Sequence, residues 1–511
     1  MKLAAIDIGT NSIHMIVVKV LQRRTFEIID REKEMVKLGA GVFSSNRLSD
    51  RAFNTGLETI HRCVQLADKL GVDDIITAAT SAIREAQNGE AFLNEVVRRT
   101  RITPRMISGK EEARLIFLAV RNAIALEDRN ALVFDIGGGS TEAVVGHREA
   151  ILFGTSMKLG VQRLLDMFED QGSIGEEARG VLEAHIRFLA KQPLQRAKQI
   201  GFSQVIGTSG TIRTLGEAAY TLKHQQSLRS VNAEVVQVKD LQVLTDRLVD
   251  LKPGKRAEIS GISDKRTDAI HLGGILLVQL LQMAEVKELT LSDASLREGM
   301  ILDYLEQRSQ DVADFPIQVD LRHRNAAQLV HKYDANWDSN CHIAHLALTL
   351  FEQTQQLHHY GDLERDVLEY AALLHDIGQY LSFRGYHKNS RYILGHADPR
   401  GFTDEEILLI GHVIRYHRKA YPQTKHKKFK RLSEADQQVI WILAGLLRVA
   451  VGLDRTKNQL VETLSCQVFD QTLEIMISGT GSLELELWAA QEDCGVLARA
   501  LELDVSIQVA T

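Results

Sequence analysis

Cysteine and proline are both scarce in this sequence of 511 residues, which contains four cysteines and six prolines. The cysteines, Cys63, Cys341, Cys466 and Cys494, are scattered and form no Cys-x-x-Cys pair. This spacing excludes the disulfide framework of a small secreted protein and a cysteine-rich zinc site, so we expect reduced thiols in a cytoplasmic protein. The shortage of proline excludes long proline-rich linkers, and we expect domains that pack directly on one another.

The sequence also lacks a long apolar run and an excess of positive charge. No uninterrupted apolar stretch reaches the roughly 18 residues of a membrane-spanning helix. Asp7 interrupts the apolar N-terminal segment before it could form the core of a signal peptide. We therefore expect no membrane partner. The net charge of −6 argues against nucleic acid as a partner, and any polyanion must be held by a local basic patch.

An α/β pattern is present, and it starts twice. Asp7-Ile8-Gly9-Thr10-Asn11-Ser12 lies between two apolar strands, and Asp135-Ile136-Gly137-Gly138-Gly139-Ser140 lies in the same context. Two matching copies indicate a duplicated domain. Helical periodicity dominates from about residue 311, and the last residues alternate as strands do around one predicted helix, Leu483–Leu501. We predict α/β domains at 1–125 and 126–305, a helical domain at 306–458 and a small α+β domain at 459–511.

The glycine-rich turns of these copies are typical of phosphate-binding loops. Glycine allows a ligand to approach the backbone closely, and clustered backbone N–H groups bind anions. The alternative is an ordinary tight hairpin turn, which uses the same residues. Three such segments in one chain favour phosphate. The predicted phosphate-binding residues are Gly9, Thr10, Asn11, Ser12, Gly137, Gly138, Gly139, Ser140 and Thr141, with Gly207, Ser209 and Gly210 from a third segment before a predicted helix. The strand-end carboxylates Asp7 and Asp135 suit a Mg²⁺ ion.

Four motifs carry a resemblance to a known family. They are the two Asp-Ile-Gly segments, the second extended to Thr141-Glu142, together with Ser108-Gly109-Lys110-Glu111-Glu112 and Ser292-Asp293-Ala294-Ser295-Leu296-Arg297-Glu298-Gly299. In this order they resemble the exopolyphosphatase / guanosine pentaphosphate phosphohydrolase family of the actin-like (ribonuclease H-like) superfamily. The resemblance implies two duplicated actin-like α/β domains, dependence on Mg²⁺ or Mn²⁺, and a homodimer.

The resemblance also assigns the acid/base chemistry. Glu112 matches the family's catalytic carboxylate and would act as general base toward the attacking water. Ser108 and Glu111 have the spacing of a capping box, which would leave Glu112 free. Asp135 and Glu142 match positions for the metal and for water positioning, and Arg84 matches a phosphate-binding position. Without the resemblance, Glu112 is equally an acidic residue favoured by the helix dipole, and Arg84 an exposed arginine.

The helical region resembles the HD phosphohydrolase superfamily. His342, His375 and Asp376 match that superfamily's metal-binding pattern, but Val451 stands where its final aspartate is expected. We favour a retired catalytic fold over a second, weak metal site.

A basic run without any acidic residue lies within the helical region. It suits a polyanion such as polyphosphate, whose binding would release counterions. The alternatives are a solvated loop and nucleic acid, although no aromatic series accompanies it. Its charged residues are Arg415, Arg418, Lys419, Lys425, Lys427, Lys428, Lys430 and Arg431.

These features predict an exopolyphosphatase that releases orthophosphate from the end of inorganic polyphosphate. Guanosine pentaphosphate is the closest alternative substrate because it ends in the same phosphoanhydride, and the basic run favours the polymer. A non-catalytic polyphosphate or alarmone sensor is a further alternative. A kinase would also need an adenosine pocket, for which the sequence shows no convincing motif.

Overall fold

A computed structural model describes residues 1–21, 25–126, 129–168, 174–308, 321–397 and 399–510. It divides the chain into two compact units, residues 1–319 and 320–511. The finer division into four domains stays a prediction.

The first unit is built from two mixed β-sheets with helices around them, as the α/β pattern predicted. Its strands are β1 (Lys2–Ile8), β2 (Ile13–Val20), β3 (Phe26–Glu34), β4 (Asp74–Ala79), β5 (Arg105–Met106), β6 (Ala131–Ile136), β7 (Thr141–Gly146), β8 (Ile151–Met157), β9 (Gln204–Thr208), β10 (Val235–Gln237) and β11 (Glu288–Leu291). Its α-helices are α1 (Val42–Ser45), α2 (Asp50–Lys69), α3 (Ser81–Glu85), α4 (Gly89–Thr100), α5 (Gly109–Arg121), α6 (Val161–Phe168), α7 (Glu176–Ile200), α8 (Ser209–His224), α9 (Val238–Asp250), α10 (Pro253–Arg256), α11 (Ile270–Ala284) and α12 (Leu296–Arg308).

The topology of the two sheets confirms the duplication. The first sheet has the order β3-β2-β1-β4-β5, and the second has β8-β7-β6-β9-β11-β10. In the first sheet, β1 pairs antiparallel with β2 and parallel with β4. In the second sheet, β6 pairs antiparallel with β7 and parallel with β9. The second sheet therefore repeats the first and adds one edge strand.

Helices α5 and α12 join the two halves of the first unit. One apolar cluster combines Leu3 of β1, Phe117 of α5, Val133 of β6 and Ile301 of α12. Helix α5 packs against β7 and β8 of the second sheet, although it precedes that sheet in the chain. Its first turn, which carries Glu112, is thereby held between the two halves.

The second unit is helical, with a small sheet at its C-terminal end. Its helices are α13 (Leu321–Lys332), α14 (Trp337–Gln353), α15 (Gln355–His358), α16 (Asp362–Leu374), α17 (Tyr386–Ala397), α18 (Asp404–Tyr416), α19 (Glu434–Leu453), α20 (Glu484–Asp493) and α21 (Gly495–Leu501), and its strands are β12 (Val461–Phe469), β13 (Thr472–Gly479) and β14 (Asp504–Val509). The single helix predicted for Leu483–Leu501 is wrong, because the chain forms two helices that meet at Cys494.

Helix α19 is long and apolar enough to cross a membrane by length and composition. Most of its apolar window is buried inside the fold, where residues such as Leu443, Leu446 and Val449 belong to the core of the second unit. A core helix of a folded unit can have the same length and composition as a membrane span, and α19 is buried as a core helix is.

Candidate active site

The two Asp-Ile-Gly segments form equivalent hairpin turns. The amide of Gly9 donates to the carbonyl of Ser12 at 3.1 Å, and the amide of Gly137 donates to the carbonyl of Ser140 at 2.9 Å. The turns face each other, because a Cβ on Gly138 would lie 2.9 Å from Cβ of Thr10 and 3.0 Å from Cγ of Asn11. The structure thus brings the two predicted phosphate loops together.

The glycines of these loops are required for space and not for backbone conformation. None of Gly9, Gly137, Gly138 and Gly139 has a positive φ. A Cβ on Gly139 would lie 2.5 Å from Oγ of Ser81, which no well-packed site could accommodate. Close approach of neighbouring backbone and side chains is therefore the property that glycine supplies here.

Some loop side chains already have partners. Thr141 is fully buried and donates its hydroxyl to the carbonyl of Leu159, so only its backbone is left for a ligand. Ser12 Oγ lies 2.7 Å from Nε2 of His14. Oδ1 of Asn11 is shielded from solvent without a hydrogen-bond partner among the described residues.

The third glycine segment divides into a buried and a half-buried part. Gly207 is inside β9, and a Cβ there would lie 2.6 Å from the side chain of Ile212, so core packing accounts for this glycine and its phosphate contact stays a prediction. Gly210, in the first turn of α8, lies against the guanidinium of Arg266, with Nη2 only 2.2 Å from its virtual Cβ. Ser209 has a left-handed φ of 90°.

Glu112 and Glu142 are buried and lie in one electrostatically coupled group. Nη1 of Arg84 is 3.3 Å from Oε2 of Glu112 and also donates to the carbonyl of Ile107 at 2.7 Å. Ser156 donates to Oε1 of Glu142 at 2.7 Å. Burial and the charge of Glu142 raise the pKa of Glu112 well above its ordinary value, although Arg84 opposes the shift.

Burial and neighbouring charge also act on the other carboxylates. The pKa of Glu142 is raised by burial and by Asp135, against hydrogen bonds from Ser156 and Ser140. Burial raises the pKa of Asp7 to about 6 and, with Glu112 and Asp7 contributing, that of Asp135 to about 7. Four carboxylates in one shielded region cannot all ionise cheaply without a cation.

The cleft fits a hard divalent cation. Oδ1 of Asp7 is shielded from solvent and has no hydrogen-bond partner in the described part of the chain. The described residues contain no group of three or more histidine, cysteine or acidic side chains placed to hold a metal by themselves. Mg²⁺ does not need such a group, because it is usually bound by one or two carboxylates, waters and substrate phosphates. One or two of Asp7, Asp135 and Glu142 would hold it, together with water and substrate phosphate.

The predicted capping box is only half present. Ser108 caps α5 by accepting a hydrogen bond from the amide of Glu111 at 3.1 Å. The Glu111 side chain does not return to Ser108 but pairs with Arg114, at 2.8 Å between Oε2 and Nε. Glu112 is left free of the helix cap, as predicted, and its side chain contacts Arg84.

One connection across the cleft was missed at the sequence level. Nη2 of Arg163 donates to Oε1 of Glu85 at 2.6 Å, and its Nε donates to the carbonyl of Gly139 at 2.7 Å. The guanidinium also lies 3.9 Å from the ring centroid of Phe43. This link ties the second glycine turn to the first half of the unit.

A basic cluster near the third glycine segment was also missed. It consists of Lys33, Arg213, Arg266 and Arg297, beside His14. Nη1 of Arg297 is 2.5 Å from Nδ1 of His14. Burial and these cations lower the pKa of His14 to about 2, so its imidazole is neutral and accepts from Arg297. Arg297 belongs to one of the motifs that carry the family resemblance. The sequence gives no indication that it lies near Lys33, which is remote in the chain.

In the second unit, the predicted weak metal set of His342, His375 and Asp376 is not assembled. Nζ of Lys457 lies 3.0 Å from Oδ2 of Asp376, and Nδ2 of Asn340 donates to its Oδ1 at 2.8 Å. His375 places Nδ1 2.7 Å from the carbonyl of Ala372. A lysine ammonium thus satisfies the carboxylate that a metal would need, and the retired site stays a prediction.

The predicted polyanion-binding run does not form one uniform surface. Most of it is exposed, as expected of a solvated or ligand-binding patch: Lys419, Lys425, Lys427, Lys428, Lys430 and Arg431. Arg415 and Arg418 are half-buried instead and turn toward α17 and its aromatic neighbours.

Two opposed glycine turns with shielded carboxylates and an arginine define a phosphate-handling site on an actin-like fold. The model of the Ppx/GppA phosphatase family matches residues 16–308, and that of domain III of these phosphatases matches residues 321–488. The chain therefore belongs to the Ppx/GppA phosphatase family.

Solved structures agree with this assignment. An exopolyphosphatase from Cytophaga hutchinsonii is 27% identical, with a TM-score of 0.57, over 60% of this chain and 98% of its own. A Ppx/GppA family member from Aquifex aeolicus is 25% identical, with a TM-score of 0.53, over 61% of this chain and 99% of its own.

Proposed function

We propose that the protein is an exopolyphosphatase, which hydrolyses the terminal phosphoanhydride of inorganic polyphosphate and releases orthophosphate. The observation that carries the proposal is the placement of Glu112 and Glu142 beside two opposed phosphate loops. A cation bound by one or two of Asp7, Asp135 and Glu142 would neutralise charge on the substrate's phosphate oxygens.

The residues of the cleft have separable roles in this proposal. The backbone N–H groups of the turns at Gly9–Ser12 and Gly137–Ser140 hold the terminal phosphate. Glu112 takes the proton of the attacking water. Burial and Glu142 raise its pKa, which makes its carboxylate a stronger base, and Arg84 opposes that rise and orients the side chain. Glu142, held by Ser156, positions the water.

The basic cluster supports a substrate with several phosphates. Lys33, Arg213, Arg266 and Arg297 bring four cations together in a chain with a net charge of −6. A terminal phosphate alone would not need them, whereas the following phosphates of a polymer would. Guanosine pentaphosphate presents the same terminal phosphoanhydride and is the competing substrate.

Phosphate release by the purified full chain with Mg²⁺ tests the proposal, with long-chain polyphosphate and guanosine pentaphosphate compared at equal concentrations of terminal phosphate. A higher kcat/KM for the polymer is expected. Preference for the nucleotide would make the protein an alarmone phosphatase. Absence of turnover with both would favour the sensor.

Two adjacent glutamates provide a matched pair of variants. Glu112→Gln should lower kcat about 10²- to 10⁴-fold because it removes the general base. Glu111→Gln changes the same charge one residue away but breaks only the pairs with Arg114 and, at 4.0 Å, with Arg105, and should stay within a few-fold of the unmodified protein. Equal losses in both variants would refute the role of Glu112.

The proposal also includes a cytoplasmic homodimer that uses Mg²⁺ or Mn²⁺. Sedimentation of the purified chain would test the dimer, and loss of turnover in a chelator, restored by either ion, would test the cation.

A further inference from the structure

The second unit contains a group of cations that the cleft does not explain and that shares only Lys419 with the exposed part of the basic run. Arg415 lies at the end of α18, Arg418 and Lys419 follow it, and His387 and Lys388 lie in the first turn of α17. Burial and the four neighbouring cations lower the pKa of His387 to about 4. The charges with the greatest effect on this histidine are thus all positive.

Arg415 has an unsatisfied donor inside this group. Its Nη1 is shielded from solvent and has no hydrogen-bond partner in the part of the chain that the structure describes. The guanidinium carbon of Arg415 lies 5.4 Å from the ring centroid of Tyr416. A shielded charged donor without an acceptor is costly, which indicates that an acceptor is supplied from outside.

His387 has a second unsatisfied polar atom. The residue is 1% exposed, and its Nδ1 lacks a hydrogen-bond partner among the described residues. Because the imidazole is neutral, Nδ1 can carry the proton and donate to an anion. Two shielded donors therefore lack acceptors within one basic group.

The guanidinium of Arg418, the third member of the group, lies against aromatic rings. Arg418 lies 4.9 Å from the ring centroid of Tyr386 and 5.4 Å from that of Phe383. Phe383 is 68% exposed, so this side of the group is open to solvent. The ring of His387 lies 6.0 Å from that of Tyr386 and 6.3 Å from that of His417. Planar, pre-positioned guanidinium groups are well suited to phosphate oxygens.

Two carboxylates, Asp376 and Asp493, lie near Tyr386, and the charge of Arg418 also acts on Asp493. The pKa of the Tyr386 hydroxyl is raised by burial, and it responds to Asp376 and Asp493 as well as to Arg418. Asp376 is already paired with Lys457, and Asp493 lies 3.7 Å from Nη1 of Arg448. These acids thus have their own cations and do not neutralise Arg415.

We propose that Arg415, His387 and Arg418 form a binding site for a phosphate-class oxyanion, separate from the cleft of the first unit. The ligand is a phosphate dianion, either free orthophosphate or the terminal phosphate of a small phosphorylated molecule. Arg415 and His387 donate to its oxygens, and Lys388 and Lys419 add charge around it. The site takes a compact anion, in contrast to the exposed lysines that suit an extended polymer.

Hydrogen exchange of the full chain, read by mass spectrometry, tests this site locally. The protein is compared with and without orthophosphate, and with and without GTP in a chelator, and peptides from residues 383–419 are followed. Slower exchange there is expected with at least one ligand. Protection by orthophosphate would identify the free ion, and protection by GTP alone would identify a nucleotide phosphate. No protection by either ligand would overturn the proposal.

Three variants complete the test. Arg415→Gln and Arg418→Gln should each weaken the protection, raising the half-saturating ligand concentration about tenfold or more for Arg415, since a charge-assisted hydrogen bond is lost. Arg499→Gln removes an exposed arginine of the same unit and should leave the protection unchanged. If Arg415→Gln unfolds the second unit, the protection measured for Arg418→Gln tests the proposal. Equal protection in Arg418→Gln and Arg499→Gln would count against the site.

Discussion

The link between Arg163 and Glu85 allows a quantitative prediction, because Glu85 has two cations in different surroundings. Nη2 of Arg163 lies 2.6 Å from Oε1 of Glu85, and the Arg163 side chain is 9% exposed. Nζ of Lys158 lies 3.3 Å from Oε2 of the same carboxylate, but that side chain is 73% exposed. Arg163→Met and Lys158→Met therefore remove similar charges from one partner at different depths.

The expected losses differ several-fold. Breaking a fully buried ion pair costs about 3–5 kcal/mol, whereas an exposed pair is worth about 0–1 kcal/mol. Glu85 is 23% exposed and keeps a hydrogen bond from Ser81 at 2.9 Å, which reduces the loss. Arg163 also satisfies the carbonyl of Gly139. We expect about 2–3 kcal/mol for Arg163→Met and under about 1 kcal/mol for Lys158→Met.

The pH dependence of this difference has a definite sign. Burial opposes ionisation of Glu85, yet hydrogen bonds and charge from Arg163 hold its pKa below the ordinary value of 4.5. A depressed pKa contributes stability that is present above the ordinary value and is lost as the pH falls through the folded-state value. The cost of Arg163→Met should thus be full at pH 7 and should shrink below about pH 4.5.

Urea-dependent hydrogen exchange of the full chain, followed on peptides of β6 and β7, measures the free energy of opening of the first unit without assuming that both units unfold together. A double-mutant cycle with Glu85→Gln isolates each pair. Equal coupling energies for the Arg163 and Lys158 pairs would refute the reasoning, as would a cost of Arg163→Met that grows in acid.

Two further predictions concern lysines. Partial desolvation of the ammonium, with the nearby Arg266 and Arg213, lowers the pKa of Lys33 to about 8, although Lys33 lies on an exposed part of β3. KM for polyphosphate should therefore rise between pH 7 and 9 as this charge is lost, and Lys33→Arg should flatten that rise. An unchanged pH profile would remove Lys33 from substrate binding. Lys457→Met should destabilise the second unit by about 1–2 kcal/mol at pH 7, less than a fully buried pair because Lys457 is 43% exposed. Burial opposes ionisation of Asp376, but His375 and Lys457 lower its pKa. The loss should therefore fade below the ordinary pKa of 3.8, and chemical denaturation at pH 7 and at about pH 3 would show whether it does.

Local patterns predicted the fold well where burial follows a simple period. The apolar runs at Lys2–Ile8 and Ala131–Ile136 each end at an Asp-Ile-Gly turn, and the strands there have the same bounds. Helix α7 instead continues past Pro193 to Ile200, since the buried stripe of Ala190, Leu194 and Ala197 continues with it.

The site could be predicted only where motifs are contiguous. The two glycine turns can be recognised in the sequence. Glu112 was proposed through the family resemblance, since its position alone equally fits an acidic residue in the first turn of a helix. The link from Arg163 to Glu85 and the cluster around Arg266 join residues that are remote in sequence, and chain folding alone brings them together. Gly207 shows a limit of such prediction, because a glycine required by core packing looks the same in sequence as one required by a ligand.

The contact between the two glycine turns sets a direction for the substrate. Gly138 lies so close to Thr10 and Asn11 that a methyl group would not fit between them. In the proposed exopolyphosphatase, a chain of phosphates held by these turns could not pass between Gly138 and Thr10. A polymer that cannot thread this gap would be held by its end, and shortening one unit at a time would follow from the contact.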